Sequence, residues 1–233
     1  MLKRGADVAL AGLLLMVSLP LLALAAIAIK LDSEGPVFFC QTRMGRGFRS
    51  FGLLKLRTMH CASDGPVYTV AEDPRITRVG RWLRWLKVDE LPQLWNVLRG
   101  EMSLVGPRPV VPELATEFRS AYERLLTVRP GLTDPATVKF CREDELLALL
   151  PDPQRYFKTV LIPDKLRISA DYLEQAGFFS DLRIMAETAL ALIPSNWRPW
   201  RIHNRLALSA LDAERRFSEP EQSVEVQSSA ENN

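Results

Sequence analysis

Two adjacent carboxylates, Asp89 and Glu90, open a predicted helix. Acidic residues at a helix start commonly do no more than cap it, because the free N–H groups and the helix dipole attract negative charge. This pair, however, follows Arg84 by five residues, and two proline-stiffened loops carry Arg108 and Arg129. Phosphoryl transfer needs a nucleophile or metal ligand together with cations for the phosphoryl oxygens, and this set of residue types supplies both.

Several common kinds of active site are missing from the sequence. It has no GxxxxGK[ST], GxSxG or HExxH motif, which excludes the commonest NTPase, hydrolase and zinc-protease readings. Gly45 and Gly47 form only a GxG, with Ser50 in the place of a third glycine, and we favour a hairpin turn over a phosphate loop there. Neither His60 nor His203 stands at zinc-ligand spacing from a cysteine.

A long apolar segment precedes these residues. Residues 8–29 contain no charged side chain, and as a straight helix they would be about 33 Å long, enough for a bilayer core of about 30 Å. A cleaved signal peptide would have a shorter apolar run and an A-x-A-like exit, whereas this run ends in Ile29-Lys30-Leu31-Asp32. We therefore expect the segment to stay in the membrane.

The path of this segment through the membrane is open to two interpretations. Pro20 lies near its middle and costs about 3 kcal/mol in a straight helix, and Ser18 could bond a freed carbonyl and help the helix bend. Basic residues flank the segment on both sides. Lys3 and Arg4 precede it, and the residues that follow it are Lys30, Arg43, Arg46, Arg49, Lys55 and Arg57. Because positive flanks favour the cytoplasm, they point to a re-entrant hairpin broken at Ser18 and Pro20. An ordinary kinked span is the alternative.

The remaining elements are short. Residues 37–42 and 48–54 are predicted as a β-hairpin, and residues 60–73 as a loop. A helix opened by Asp73-Pro74 has an apolar and aromatic stripe of Ile76, Val79, Trp82, Leu83 and Leu86 beside a row of arginines. This pattern fits equally a core helix with a solvated face and a helix lying on an anionic membrane.

Further along the chain, helices are predicted over residues 112–128, 164–175 and 178–193. Residues 197–201 (WRPWR) are typical of an interfacial anchor or, equally, of a surface turn. The predicted fold is α+β, mostly helical with a small β-hairpin, an N-terminal re-entrant membrane helix and interfacial amphipathic helices. Its parts are an anchor (1–34), a cytoplasmic catalytic domain (35–203) and an extension (204–233), which we expect to be disordered from about residue 218.

Composition sets wider limits. The chain has 233 residues, of which 47% are hydrophobic and 25% charged, with 30 basic and 28 acidic side chains. These values exclude a disordered tail protein, a collagen-like repeat and a disulfide-dense toxin. The three cysteines, Cys40, Cys61 and Cys141, are widely spaced and odd in number, which argues against a disulfide framework and places the soluble part in a reducing cytoplasm.

Taken together, these segments resemble the bacterial sugar transferases, the monotopic phosphoglycosyl transferases that start glycan assembly on polyprenol phosphate. The longest matching stretch is residues 89–109, DELPQLWNVLRGEMSLVGPRP. The other matches are Lys3-Arg4 with Asp7, Ile29-Lys30-Leu31, residues 35–39 (GPVFF), 55–59 (KLRTM), 73–80 (DPRITRVG) and 129–133 (RPGLT). They follow the family's order and, with the helices behind them, run from residue 3 to about 190.

The resemblance implies a reaction in which a sugar 1-phosphate passes from a nucleotide diphosphate sugar, usually a UDP-sugar, to undecaprenyl phosphate, with release of UMP. It implies that Asp89 is the nucleophile, which forms a phosphoryl-aspartate, and that Glu90 is a Mg²⁺ ligand. The predicted phosphate-binding or substrate-binding residues are Arg84, Arg108, Arg129, Pro107, Pro109, Lys55 and Arg57.

The resemblance also implies a location and partners. It favours the re-entrant anchor and places the catalytic domain on the cytoplasmic face of the bacterial inner membrane, where a soluble donor meets a lipid acceptor. The expected partners are the two substrates and membrane lipids, without nucleic acid; a homodimer is left open. The glycan would belong to an exopolysaccharide, capsule, O-antigen (lipopolysaccharide) or glycoprotein, and larger relatives carry extra N-terminal membrane helices around the same catalytic core.

Two departures from the family pattern stand out. Leu19 precedes Pro20 where many members have serine, which affects the detail of the bend. After Thr133 the chain continues DPATVKFCR where many members have GWAQVNGR, so its sugar or nucleotide preference could differ. The alternative to an enzyme is a catalytically silent, membrane-anchored interaction protein of the same fold, against which the intact Asp89 and Glu90 count.

Overall fold

The computed structural model of the chain describes residues 2–60, 69–70 and 73–192. Most of the predicted loop over residues 60–73 lies outside the described residues. The same holds for the predicted anchor at residues 197–201, for the extension 204–233 and for the disorder expected from residue 218.

The apolar segment forms one helix, α1 (Leu2–Asp32), which is long and apolar enough to cross a membrane. Pro20 lies inside it, and the helix is continuous through this residue. The Ser18 hydroxyl donates to the Leu15 carbonyl at 2.9 Å, whereas the carbonyl that loses its helical donor at Pro20 is that of Met16. The re-entrant path predicted from Ser18 and Pro20 stays a prediction.

The predicted β-hairpin is confirmed, with its strands shifted slightly along the chain. β1 (Phe38–Met44) pairs antiparallel with β2 (Ser50–Leu56) in a register that joins Phe38 to Leu56 and Met44 to Ser50. The connection is a 3₁₀ turn in which Gly47 has φ 66°, a left-handed conformation that favours glycine. The GxG is therefore a hairpin turn.

Helix α2 (Arg78–Trp85) begins later than the sequence predicted. Thr77 is its N-cap, and its hydroxyl accepts from the Gly80 N–H at 2.9 Å, whereas Asp73 forms an ion pair with Arg75 at 2.6 Å. A Cβ added at Gly80 would lie 2.1 Å from the Thr58 carbonyl oxygen, so α2 packs directly against backbone here.

A 3₁₀ turn (Val88–Glu90) leads into α3 (Gln93–Arg99), so the predicted helix start at the acidic pair is a 3₁₀ turn that precedes the α-helix. Two three-residue strands, β3 (Ser103–Val105) and β4 (Gly131–Thr133), then pair in parallel, with Ser103 opposite Gly131 and Val105 opposite Thr133. The backbones meet closely, since a Cβ at Gly131 would lie 2.1 Å from the Gly106 nitrogen. The sequence did not predict this pair of strands.

The rest of the described chain is helical. The single helix predicted over residues 112–128 was wrong: Phe118 (φ −109°, ψ 39°) separates α4 (Pro112–Glu117) from α5 (Arg119–Leu125). The helices predicted near residues 164–175 and 178–193 are confirmed as α9 (Ile162–Glu174) and α10 (Phe178–Leu192). The helices after β4 are α6 (Pro135–Lys139), α7 (Glu143–Ala148), α8 (Pro153–Tyr156), α9 (Ile162–Glu174) and α10 (Phe178–Leu192), with a π-helical turn (Phe157–Leu161) before α9.

Within the described part of the chain, three apolar clusters form the core, and α1 contributes to two of them. Ala11 packs with Leu53, Leu94 and Met102, and near the other end Ile29 packs in a cluster that includes Val88. The third cluster joins α4 and α5 to the helices from α7 to α9. The mostly helical α+β fold with a small hairpin is thus confirmed, whereas the interfacial placement of its helices and the domain boundaries stay predictions.

Candidate active site

The Asp89–Glu90 pair lies in a short, firmly packed turn. Lys87 has a left-handed backbone (φ 55°), which ends α2 and starts the 3₁₀ turn that carries both carboxylates. Val88 anchors the turn in the cluster around Ile29 of α1. Asp89 is only 5% exposed. The predicted nucleophile is thereby held in a fixed position beside the apolar helix.

Glu90 is held by cations from two other elements. Lys55 of β2 donates to one carboxylate oxygen at 3.2 Å, and Nη2 of Arg108 lies 2.9 and 2.8 Å from the two oxygens. Arg108 also donates through Nη1 to the Leu132 carbonyl of β4. The hairpin, the acidic turn and the loop after β3 therefore meet at one carboxylate.

The loop of Arg108 is fixed on both sides. The Pro107 carbonyl accepts from the Gly131 N–H at 2.9 Å, and the Pro109 carbonyl lies 3.4 Å from Nη1 of Arg43. These contacts give Pro107 and Pro109 a positioning role for Arg108 in the described structure. Their predicted contact with substrate stays a prediction.

The two carboxylates have opposite pKa shifts. Burial raises the pKa of Asp89 above its ordinary value of 3.8, and the charge of Glu90 adds to this, although Lys55 and Arg84 act against it. Burial alone would also raise the pKa of Glu90, but the charges of Arg108 and Lys55 outweigh it, and this pKa lies well below its ordinary value of 4.5. The surrounding cations thus favour the charged form of Glu90, whereas burial disfavours the charged form of Asp89.

Unsatisfied polar atoms are concentrated near this turn. Among the described residues, the buried side-chain atoms without a hydrogen-bond partner are Oδ1 of Asp89, both amide atoms of Gln93 and Nε of Arg43. Gln93 is fully buried and stands four residues after Asp89, at the start of α3. Because buried polar groups are nearly always paired in folded proteins, such atoms commonly mark a place where a ligand or water binds.

The other predicted site residues have varied surroundings. Arg84 is near enough for its charge to lower the pKa of Asp89. Arg57 is buried, and its guanidinium donates to backbone carbonyls of residues 33–36, including that of Pro36 at 2.6 Å. Nε of Arg129 donates to the Gly100 carbonyl at 2.8 Å. The phosphate-binding roles of Arg57 and Arg129 stay predictions.

Two residues of the site were not singled out as site residues in the sequence. Arg43 counted only as part of the basic flank after the apolar segment, and Gln93 only as part of a matching stretch. The position of Gln93 four residues after Asp89 is a signal that could have been used, since residues so spaced are neighbours on a helix. No sequence signal places Arg43 beside Arg108, because the hairpin register and the loop after β3 decide it.

Both ends of α1 are attached to the same folded domain. Near its start, Asp7 accepts from the Ser103 hydroxyl at 2.7 Å and from the Leu104 N–H at 3.3 Å. At its other end, Asp32 accepts from the Val79 N–H at 2.9 Å. One stripe of α1 is thus buried on the domain along the helix, while much of the rest of its apolar surface is exposed.

The apolar and aromatic stripe predicted for α2 is divided between core and surface. Leu83 is buried, whereas Trp82 is 66% exposed, and Trp85 and Leu86 are also exposed. The rings of Trp82 and Trp85 meet edge to face, with centroids 5.8 Å apart. One side of α2 is therefore core, and the other is an exposed aromatic surface next to the acidic turn, whose predicted contact with a membrane stays a prediction.

Comparison with known proteins places the chain among the bacterial sugar transferases. A family model described as "Bacterial sugar transferase" matches residues 1–195. A UDP-glucose:undecaprenyl-phosphate glucose-1-phosphate transferase of Caulobacter vibrioides is 42% identical over 208 residues, 83% of this chain and 70% of that protein.

Two further relatives are matched over part of their length. An undecaprenyl-phosphate glucose phosphotransferase of Komagataeibacter xylinus is 48% identical over 149 residues, 60% of this chain and 28% of that protein. A UDP-N-acetylgalactosamine-undecaprenyl-phosphate N-acetylgalactosaminephosphotransferase of Aeromonas hydrophila is 42% identical over 142 residues, 59% and 34% of the respective chains.

Proposed function

The chain belongs to the bacterial sugar transferase family, and on this basis we propose that it transfers a sugar 1-phosphate from a UDP-sugar to undecaprenyl phosphate with release of UMP. The relatives are named for transfer of glucose 1-phosphate or N-acetylgalactosamine phosphate to this lipid, which supports a phosphoglycosyl transferase. The observation that carries the proposal is the buried Asp89 beside Glu90, Lys55 and Arg108, packed against the apolar helix α1.

We propose that Asp89 is the nucleophile. One of its carboxylate oxygens attacks the phosphorus that bears the sugar, the bond to the bridging diphosphate oxygen breaks, and UMP leaves with the electron pair. The buried Oδ1, which has no hydrogen-bond partner among the described residues, suits this role because no donor has to be removed before it attacks. Arg108, Lys55 and Arg84 are the cations available to the phosphoryl oxygens.

The second step returns the enzyme to its starting state. A phosphate oxygen of the lipid attacks the same phosphorus, the bond to Asp89 breaks, and the carboxylate is regenerated. The product is the sugar on undecaprenyl diphosphate. Because the donor product leaves before the acceptor reacts, the kinetics should be ping-pong.

The donor set fits a magnesium ion that is shared with the substrate. Among the described residues no group of three His, Cys, Asp or Glu side chains could hold a metal alone. Mg²⁺ commonly binds through one or two carboxylates together with substrate phosphates, and Glu90 would provide such a carboxylate while the free oxygen of Asp89 stays available for attack. When bound, the ion would offset diphosphate charge. Lys55 and Arg108 donate to the Glu90 carboxylate and so fix its orientation in the site.

We further propose that α1 is a re-entrant anchor in the cytoplasmic leaflet of the bacterial inner membrane. A helix that crossed a bilayer of about 30 Å would have its two ends on opposite sides. The contacts of Asp7 with Ser103 and of Asp32 with Val79, which join both ends to one domain, support a path that enters and leaves on the same side.

The experiment for the reaction is UMP release by the detergent-solubilised protein with Mg²⁺, measured across a panel of UDP-sugars with and without undecaprenyl phosphate. Asp89→Asn should abolish release, whereas Asp171→Asn, the same change at an exposed position of α9, should leave it unchanged. Intact-mass measurement with donor alone should show a sugar-phosphate adduct on the wild type. Release by Asp89→Asn at the wild-type rate would contradict the role of Asp89, and a folded wild type that is silent on the whole panel would favour the interaction protein.

The topology is tested by labelling single cysteines in a variant without native cysteines. Gly5→Cys lies in α1, where a side chain would meet nothing within 4 Å, and Arg49→Cys lies in the exposed hairpin connection. A membrane-impermeant maleimide should label both positions in inside-out vesicles. Labelling of Gly5→Cys only in right-side-out vesicles would indicate a spanning helix.

A further inference from the structure

Arg43, near the end of β1, contacts the loop after β3 that carries Arg108. Its Nη1 lies 3.4 Å from the Pro109 carbonyl, and its Nη2 donates to Oε1 of Gln41 at 2.6 Å. The adjacent Met44 N–H donates to the Val110 carbonyl at 2.8 Å, which fixes the strand against the loop that carries Arg108. The Nε of Arg43 is buried and has no partner among the described residues.

The charge of Arg43 is not balanced by its hydrogen-bond partners. Both partners are neutral acceptors, and within the described part of the chain no carboxylate forms an ion pair with this guanidinium. Burial, and then the charge of Arg108, lower the pKa of Arg43 from 12.5 to about 10. Arg43 is still a cation at neutral pH, and it stands next to a second cation whose carboxylate partner, Glu90, is already shared with Lys55.

The cations around the acidic turn have few direct ion pairs. Arg43, Lys55, Arg84, Lys87 and Arg108 act on Asp89, on Glu90 or on each other, and Glu113, Asp134 and Glu143 also act on Arg43 or Arg108 through their charge. Among the described residues, however, the ion pairs within this group of cations are those of Lys55 and Arg108 with Glu90. Partly buried charges without counter-charges are costly, and the cost falls when an anion with several oxygens enters between them. Phosphate groups provide such oxygens, and arginine binds them with good geometry.

We infer that Arg43 is a further phosphate-binding residue of the site, which donates from its free Nε to a phosphate oxygen of a substrate beside Arg108. The inference rests on the proposed function. Two phosphates could fill the role, the diphosphate of the donor or the phosphate of the lipid acceptor. The alternative is that Arg43 only supports the loop through the Pro109 carbonyl.

The test compares kcat/KM for each substrate separately, which ping-pong kinetics allows. Arg43→Gln removes the charge, Arg43→Lys keeps the charge but removes Nε and the planar fork, and Arg49→Gln removes a similar charge from the exposed connection of the same hairpin. UMP release is measured in the full-length, detergent-solubilised protein with the UDP-sugar that the wild type uses best, and thermal unfolding is recorded for each variant.

We expect Arg43→Gln to lower kcat/KM for one substrate at least tenfold. Its kcat/KM for the other substrate and its Tm should stay near those of Arg49→Gln. Loss for the UDP-sugar assigns Arg43 to the diphosphate, and loss for undecaprenyl phosphate assigns it to the lipid phosphate. If Arg43→Gln does not fold, Arg43→Lys decides, with an expected loss of at least fivefold for one substrate.

Two results would overturn the inference while the proposed function stands. One is a kcat/KM within threefold of the wild type for both substrates in the folded Arg43 variants. The other is an equal loss for both substrates together with a lower Tm, which is the signature of a supporting role. A wild-type protein that releases no UMP would instead contradict the proposed function, and the inference would fall with it.

Discussion

Replacing Asp7 by alanine should loosen the apolar helix from the catalytic domain. Asp7 is 8% exposed and accepts from the Ser103 hydroxyl at 2.7 Å and the Leu104 N–H at 3.3 Å. A hydrogen bond to a charged group contributes roughly 1.5–3 kcal/mol to stability, and the longer of these two contributes less. We therefore expect Asp7→Ala to lower the free energy of unfolding by about 2–4 kcal/mol, because it also leaves both donors without a partner.

The measurement is thermal unfolding in detergent, followed by tryptophan fluorescence. For a chain of this size, 1 kcal/mol corresponds to roughly 2–4 °C, so Tm should fall by about 4–16 °C. Asp7→Asn keeps an acceptor and should lose less than half of this. Asp171→Ala is the control, because the same group is removed from an exposed position on α9.

A double-mutant cycle isolates the contact itself. Ser103→Ala removes the donor of the shorter hydrogen bond. The stability losses of Ser103→Ala and Asp7→Ala should therefore not be additive in the double variant, and the coupling energy should exceed about 0.5 kcal/mol. A Tm for Asp7→Ala within 2 °C of the Asp171→Ala control, with losses that add, would show that this carboxylate does not hold α1 on the domain and would refute the reasoning.

Three further predictions follow from packing, charge and exposure. Gly80→Ala should cost about 1–3 kcal/mol or more in unfolding experiments, because its Cβ would lie 2.1 Å from a backbone oxygen, whereas Gly5→Ala, in open space, should be neutral or stabilising. Arg84→Gln removes a cation that lowers the pKa of Asp89, so the acidic limb of kcat/KM against pH should move to higher pH; an unmoved limb would contradict the assignment. Brominated lipids quench the fluorescence of tryptophans that touch them, and Trp82 is 66% exposed. In nanodiscs that contain such lipids, Trp82→Phe should therefore reduce the fraction of tryptophan fluorescence that is quenched. An unchanged quenched fraction would place Trp82 away from lipid.

Local patterns predicted the elements that local physics determines. The hairpin follows from two short strand-like runs, residues 37–42 and 48–54, on either side of Gly45 and Gly47, and its turn indeed has Gly47 at φ 66°. The acidic turn was predicted as a helix start and lies one turn before α3, because Pro92 is tolerated only in a first helical turn. Helix α2 started later than predicted because Thr77, rather than Asp73, supplies the capping oxygen.

Contacts between distant segments could not be predicted in the same way. The strands β3 and β4 have three residues each and no pattern long enough to recognise, and the close approach of Gly106 and Gly131 makes their pairing possible. Arg57 belongs to a basic matching stretch, but its carbonyl partners in residues 33–36 are known only once the hairpin is placed on the end of α1. The same holds for Arg43, whose neighbours lie on the loop after β3.

The buried stripe of α1 limits how this enzyme can be re-engineered or can diverge. Ala11 and Ile29 are buried in two core clusters, and Asp7 accepts a hydrogen bond from Ser103 of β3. The buried side of α1 should therefore tolerate as few substitutions as a core helix does. Exposed positions such as Val17 and Leu24 can exchange freely among apolar residues. A chimaera that replaces α1 with an unrelated membrane helix of equal length and hydropathy would therefore still bind the bilayer, but its catalytic domain would lose the core contacts that Asp7, Ala11 and Ile29 make.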